Sequence, residues 1–244
     1  MAEIVLQTVL NRLPRRHRNR LRGLFYDARV GWAHRFHAYG SDELRAGIRD
    51  LGVREGDAVM LHSASRRECA FRGDIAALTD VFLGAVGPSG HLLMPSLPYR
   101  SSALDYLNRV RRFDVRKTPS HMGLVTEFFR RRDGVVRSLH PTHPILVHGP
   151  RAPRFVEGHE ACVRPCGFGS PFDALTREHG KVMFFDVSFT AFTYFHYLEE
   201  LVHERAGVKL YTDDLFEVPV VDADGHDRVV RTHAFSREVL ALSL

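Results

Sequence analysis

Two short apolar runs on either side of one helical stretch constrain the fold of this chain most. Ala58 to Leu61 has the length of a buried strand, and Leu92 to Met94 is a second such run. Between them, Asp74 to Val86 carries Ile75, Leu78, Val81, Phe82 and Val86 at helical intervals. The Gly87-Pro88-Ser89-Gly90 turn separates helix from second strand, and Arg54-Glu55-Gly56-Asp57 turns the chain into the first. Strand, helix, strand in that order make a right-handed crossover, and strands without polar alternation belong to a sheet covered on both faces. The expectation is a three-layer α/β/α domain with a largely parallel central sheet.

The remaining pattern fits that architecture. Ser41-Asp42 opens a helix with Leu44, Ile48 and Leu51 on its buried stripe, and Gly52 stops it. Met122 to Arg132 and Thr193 to Arg205 read as helices, and Ile145 to Val147 and Val182 to Phe185 as strands. Leu210 to Val221 and Arg228 to His233 flank Asp222-Ala223-Asp224-Gly225-His226, so a C-terminal β-hairpin is expected. Residues 95–121 have poor periodicity, and a loop of that length in a compact domain is often a lid or a substrate wall. With 244 residues and 44% hydrophobic content, one domain (residues 41–244) with an N-terminal extension (1–40) is the economical division.

The net charge of +5 is local: residues 1–40 hold eight arginines against Glu3 and Asp27, so the other 204 residues sum to −1. Leu21, Leu24, Phe25, Ala28, Trp32 and Phe36 recur at near-helical spacing in this extension. It is expected to pack that apolar face on the domain or on a second subunit. Peripheral membrane contact through residues 11–36 and a homo-oligomer stay open, and nucleic acid is disfavoured. No apolar run approaches the roughly 18 residues that span a bilayer, and the basic residues follow the apolar Met1 to Leu10 stretch, the wrong order for a secretory signal. Three cysteines, an odd number, argue for a reducing compartment, hence a cytoplasmic protein. His159, Cys162 and Cys166 could supply zinc ligands, but no second cluster supports them, so no metal is expected.

The chemistry-bearing residues come as an ordered set. Val59-Met60-Leu61-His62-Ser63-Ala64-Ser65 is followed by the Gly87 turn, Phe113-Asp114-Val115-Arg116-Lys117-Thr118 and Gly123. Then come Arg137-Ser138-Leu139-His140-Pro141-Thr142-His143-Pro144, Gly167-Phe168-Gly169-Ser170-Pro171-Phe172, Gly180-Lys181-Val182-Met183-Phe184-Phe185-Asp186 and Phe195-His196-Tyr197-Leu198-Glu199. Together, from about Ser41 to about Glu204, they resemble the aminoglycoside 3-N-acetyltransferase family, antibiotic N-acetyltransferases unrelated in fold to the commoner GNAT enzymes. The chain departs from the family pattern at Ala64, Pro144, Thr190 and Asp186, where a strand-end glycine is usual.

The resemblance implies the antibiotic N-acetyltransferase fold, acetyl-CoA as cofactor, and acetyl transfer to an amino group of an aminoglycoside or other amino sugar. A protonated amine cannot attack a thioester, so such an enzyme needs a base. The resemblance selects His140, His196 and Glu199 as catalytic; independently, His196 and Glu199 are three apart on a helix and share a face. His143 has no matching role. Contacts to the cofactor are expected from His62, Ser63, Ala64, Ser65, Arg66, Thr118, Ser120, Arg137 and Ser138, and to the acceptor from Tyr99, Asp114, Asp173 and Asp186. A polycationic acceptor calls for several carboxylates, yet Arg100, Arg109, Arg111 and Arg112 crowd the 99–112 loop, which tilts the reading toward a single amino sugar. Neither a P-loop nor a Gly-x-Ser-x-Gly elbow occurs, and nothing selects Cys69 or Cys166 as a nucleophile. The other class of function compatible with these residues is a non-catalytic CoA-binding or scaffold protein of the same fold.

Overall fold

The computed structural model of the chain describes residues 14–236. In chain order they form α1 (Arg15–Phe36), α2 (Ser41–Asp50), β1 (Ala58–Ser63), α3 (Ile75–Val86), β2 (His91–Pro95), α4 (Ala103–Leu107), β3 (Phe113–Asp114) and α5 (Leu124–Arg130). There follow β4 (Val136–Arg137), β5 (Ile145–His148), α6 (Ala152–Val156), α7 (Pro171–Arg177), β6 (Lys181–Phe185), α8 (Phe195–Ala206), β7 (Tyr211–Val221) and β8 (Asp227–Phe235).

The central sheet has the order β4-β5-β2-β1-β6. β1 pairs in parallel with β2 and β6, as the crossover pattern implies, whereas β5 runs antiparallel to both β2 and β4. Four of the five strands thus point one way, and the sheet is largely parallel with one reversed strand. Alternate residues feed opposite faces. Val59, Leu61, Leu92 and Met94 pack with Ile48, Leu78, Phe82, Val125 and Phe129 of α2, α3 and α5. On the other face, Met60, Leu93, Ile145 and Val147 meet Phe155, Phe172, Leu175 and Tyr197 of α6, α7 and α8. Apolar side chains leave water on both faces of the same strands, which is why these strands read as continuous apolar runs.

The C-terminal hairpin is present, with β7 against β8 and Asp222 to His226 in the turn. It forms a second sheet, β3-β7-β8, because β3 pairs in parallel with β7 through Phe113 and Val220. The 95–121 segment is therefore a strap packed on the hairpin through Leu107, Phe113 and Val115, with cavity contacts only near its ends; it is not a free lid. Arg137 holds the strap to β4. Its buried guanidinium donates to Thr118 O and Ser96 O at 2.6 Å each and to Val115 O at 3.4 Å, and lies 5.0 Å above the Phe113 ring. Those carbonyls use the fork expected to meet a cofactor phosphate.

Helix α1 does not turn its apolar face to the domain, the first of the two dockings expected of it. Its contacts are polar: Tyr26 Oη donates to Glu68 at 2.6 Å, Arg67 pairs with Asp27 at 3.1 Å, and His34 Nε2 donates to Arg67 O at 2.8 Å, around the buried Val30. Tyr26, Asp27, Val30 and His34 share one face at about 100° per residue. The apolar Phe25, Trp32 and Phe36 lie on the other, 47%, 58% and 62% exposed. Among the described residues, the element α1 packs on most is the polar turn Arg67–Cys69, so the polar face of the helix is the complementary one.

Replacing Arg137 with Met leaves three buried carbonyls without their donor. Arg137→Met should lower stability by about 2–4 kcal/mol, and Arg137→Lys should also lose stability, because an ammonium lacks the fork. Urea titration checks this; a wild-type midpoint for Arg137→Met would contradict the clamp.

Candidate active site

β1, β2 and β6 end at one edge of the sheet, where open α/β folds collect ligands. A cavity of about 830 Å³ opens there. His62 and Ser63 close β1 beneath it; Pro95 ends β2 and Leu97 follows it; His121 and Met122 come from the approach to α5 and Thr126 from its first turn. The loop after β6 and the start of α8 supply Phe189, Phe192, Phe195 and His196. The wall is aromatic: Phe184 stacks on Phe189 at 4.7 Å and meets Phe192 edge-on at 5.3 Å.

Two buried polar atoms at this cavity lack hydrogen-bond partners among the described residues. His62 is 4% exposed, its ring lies on Phe184 at 5.2 Å, and its Nε2 has no hydrogen-bond partner; neither has Ser63 Oγ. Burial pulls the His62 pKa down to about 4, so the ring is neutral at pH 7. Unpaired buried donors and acceptors are costly, and at a cavity wall they fit a ligand that supplies the missing bonds.

His196 Nδ1 donates to Glu199 Oε2 at 2.7 Å, both groups partly buried on α8. In the neutral ring, a proton on Nδ1 leaves the lone pair on Nε2, and His196 lines the cavity. The ring is held by Phe235, stacked at 4.3 Å, and by His143, perpendicular at 6.1 Å. His143 itself is sealed, with Nδ1 3.0 Å from Thr142 Oγ1 and Nε2 3.3 Å from Tyr99 Oη. Tyr99 therefore lies behind the cavity wall, in contact with His143.

His140 does not share this geometry. It is fully buried; Nε2 donates to Cys162 O at 3.2 Å, and Nδ1 accepts from Thr142 N at 3.3 Å, close to Thr142 Oγ1 at 3.2 Å. Its ring stacks on His159 at 4.5 Å. Burial first, then His159 and His143, drives its pKa well below the usual range. Nδ1 serves the turn that seats His143 and Nε2 ties that turn to Cys162, so the ring at His140, the expected base, has both nitrogens engaged and does not line the cavity.

Most of the other expected contacts have structural partners instead. Ala64 N donates to Phe185 O at 3.0 Å, which continues the β1–β6 pairing toward Ser65. Asp186 takes φ +55°, the left-handed region that explains the glycine usual at this strand end. Its carboxylate accepts from Arg66 N, Nε and Nη2 at 2.6, 3.0 and 2.7 Å, so Asp186 is committed to Arg66 and the guanidinium is turned to it. Asp114 caps its own turn through Arg116 N and Lys117 N, and Thr118 Oγ1 accepts from Asp114 N. Asp173 accepts from Gly169 N and Tyr197 Oη. Ser120 N donates to Glu127, whose pKa is drawn down to about 2, chiefly by Arg130. Ser138 Oγ accepts from Ile145 N and meets His159 Nδ1 at 2.8 Å. None of these residues lines the cavity.

His159 also donates from Nε2 to Pro165 O, so it has no lone pair for zinc, and burial pushes the Cys162 thiol up to about 11 and Cys166 well above its usual value. Neither cysteine is a ready nucleophile. Among the described residues, Asp222, Asp224 and His226 are grouped closely enough for a metal, but Asp222 there accepts from the backbone of its own hairpin turn and from Arg228.

The aromatic stretch 189–195 supplies much of the cavity wall. Sequence reasoning missed it because aromatic density usually signals core packing; the signal that could have found it is its position directly after a strand ending at the ligand-collecting edge.

An open α/β sheet with an apolar cavity and a histidine–carboxylate pair at its carboxyl edge defines a small-molecule enzyme site. The sequence model of aminoglycoside 3-N-acetyltransferases matches residues 60–240, and the chain belongs to that family of acetyltransferases. Aminoglycoside N(3)-acetyltransferase III of Serratia marcescens is 26% identical over 199 residues, which cover 77% of this chain and 72% of that protein. Among solved structures, aminoglycoside acetyltransferase AAC(3)-Xa superposes with a TM-score of 0.71 at 24% identity, over 88% of this chain and 77% of that one. AAC-VIa bound to sisomicin gives 0.67 at 28% identity, over 82% and 76%. No helix among the described residues is long and apolar enough to cross a membrane.

Burial of neutral histidines makes stability pH-dependent in a stated direction. His62 and His159 have folded pKa values of about 4, and His140 and His143 are also lowered. Between the unfolded value near 6.5 and about 4, the unfolded chain holds protons that the folded chain does not. Stability should be full above roughly pH 6.5 and fall as pH drops toward 4. Urea titrations from pH 7.5 to 5 read the slope; a flat profile would contradict neutral buried histidines.

Proposed function

We propose that the chain transfers acetyl from acetyl-CoA to an amino group of an aminoglycoside or another amino sugar, by direct transfer with His196 as general base. The observation that carries this reading is the 2.7 Å His196–Glu199 bond at the wall of a cavity whose lining also includes, among the described residues, two unpartnered buried polar atoms. His62 Nε2 and Ser63 Oγ would hold polar groups of bound acetyl-CoA, and Leu97, Met122 and Val187 would lie along its apolar arm. When bound, acetyl-CoA supplies the thioester acyl group.

The protein's own part is proton management and positioning. Glu199 fixes the His196 tautomer, and Phe235 and His143 limit rotation of the ring. His196 Nε2 takes the amine proton, which leaves a nucleophilic nitrogen, and the aromatic wall excludes water that would hydrolyse the thioester. His140 has a structural part, holding the 140–144 turn through the amides of Thr142 and His143. Because Asp114, Asp173 and Asp186 are engaged internally, few carboxylates are left to receive a polycation, and a single amino sugar is the favoured acceptor.

His196→Asn should keep CoA affinity and lower kcat by on the order of 10² to 10⁴. Glu199→Gln should act in the same direction, and the double variant should be little worse than the poorer single one. His140→Asn should instead lower stability while the folded fraction turns over near the wild-type rate. Steady-state CoA release on a panel of aminoglycosides and nucleotide-linked amino sugars checks all three. Full activity of His196→Asn would defeat the assignment of the base, and turnover of polycationic aminoglycosides alone would defeat the acceptor preference.

A further inference from the structure

Helix α1 has a second face that the domain does not use. Leu21, Phe25, Ala28, Trp32 and Phe36 fall within about 80° of one another on the helical wheel, roughly opposite the Tyr26, Asp27, Val30 and His34 docking face. Phe25, Trp32 and Phe36 are 47%, 58% and 62% exposed, and Trp32 and Phe36 form one aromatic ridge with ring centroids 6.1 Å apart. Arg22 and Arg29 run along one side of this stripe, and Arg35 borders the other. The helix carries seven arginines and one acid, Asp27, which Arg67 neutralises from the domain side. Its charge of +6 compares with a net +5 for the whole chain, so the rest of the protein sums to −1.

We propose that α1 lies in the surface of an anionic lipid membrane, with the Phe25–Trp32–Phe36 stripe at the boundary between headgroups and acyl chains and the flanking arginines at the headgroups. An apolar stripe rimmed by arginine, with tryptophan at the boundary, is the pattern of interfacial helices. Charge selects lipid over a second copy: two α1 faces placed together would set like-charged arginine rows against each other, whereas anionic headgroups neutralise them. The docking also has a direction. Turn Arg67–Cys69, which holds α1, directly follows Arg66, and Arg66 is tied to Asp186 at the end of β6, so the helix hangs from the same sheet edge as the cavity. The membrane would then lie on the side of the molecule where an acceptor enters.

Trp32 is the sole tryptophan, so its emission reports on this face alone. The full chain is mixed with phosphatidylcholine vesicles, or with vesicles containing about one-third phosphatidylglycerol, then pelleted and scanned for fluorescence. The expected result is co-sedimentation and a blue-shifted emission with the anionic vesicles only, reversed by salt. Arg22→Ala or Arg29→Ala should each weaken partitioning roughly fivefold. Phe25→Glu/Phe36→Glu, at positions already exposed to water, should abolish it while leaving the thermal midpoint and acetyl transfer to a soluble amine unchanged. The proposal is overturned if the full chain stays in the supernatant, if the double variant binds like wild type, or if the blue shift appears without lipid and follows self-association.

Discussion

Everything at the candidate site depends on the complete burial of β1. Val59, Met60 and Leu61 are inaccessible to water, with β2 on one side, β6 on the other and a helical layer on each face. A strand in that position can carry polar chemistry only where it emerges. His62 and Ser63 are that point, and their unpartnered polar atoms follow from it: the neighbouring strands saturate the backbone, and the side chains are left facing a cavity. A neutral His62 is the further consequence, since the same layers that order the strand exclude the water that would hydrate an imidazolium.

The reversed strand β5 shapes the other half of the site. Because β5 returns antiparallel to β2, the 138–144 segment reaches the edge where β2 ends, and Ser96 N pairs with Pro144 O at 2.8 Å. The turn before β5 is packed with histidines, yet they differ in what they can do. His140 and His159 are saturated by hydrogen bonds, His143 is wedged between Thr142, Tyr99 and His196, and His196 alone combines a carboxylate partner with access to the cavity. Access and hydrogen-bond saturation, not histidine density, decide which ring can act as a base.

Those two properties mark where the sequence was legible. The crossover, the hairpin and the His196–Glu199 pairing were readable, because periods of 2 and 3.6 and an i,i+3 spacing translate directly into faces. His62 and Ser63 were readable from their place after an apolar strand. Arg137, Asp114, Asp173 and Asp186 were not, because each is held by groups distant in sequence or by its own turn. Local pattern records a polar side chain's chemistry but not whether the fold has already used it. α1 shows the same limit: the stripe was visible, but which face the domain would accept depended on the polar turn at Arg67–Cys69.

The central claim is that acetyl-CoA binds at the carboxyl edge of β1, β2 and β6, over His62 and Ser63 and beside His196. Amide hydrogen exchange on the full chain, with and without CoA, tests it most directly. The account expects added protection in residues 61–65, 121–126 and 187–196, with little change elsewhere. Protection confined to the other face of α8, at the 530 Å³ cavity lined by Cys162, Arg164 and Glu200, would contradict it.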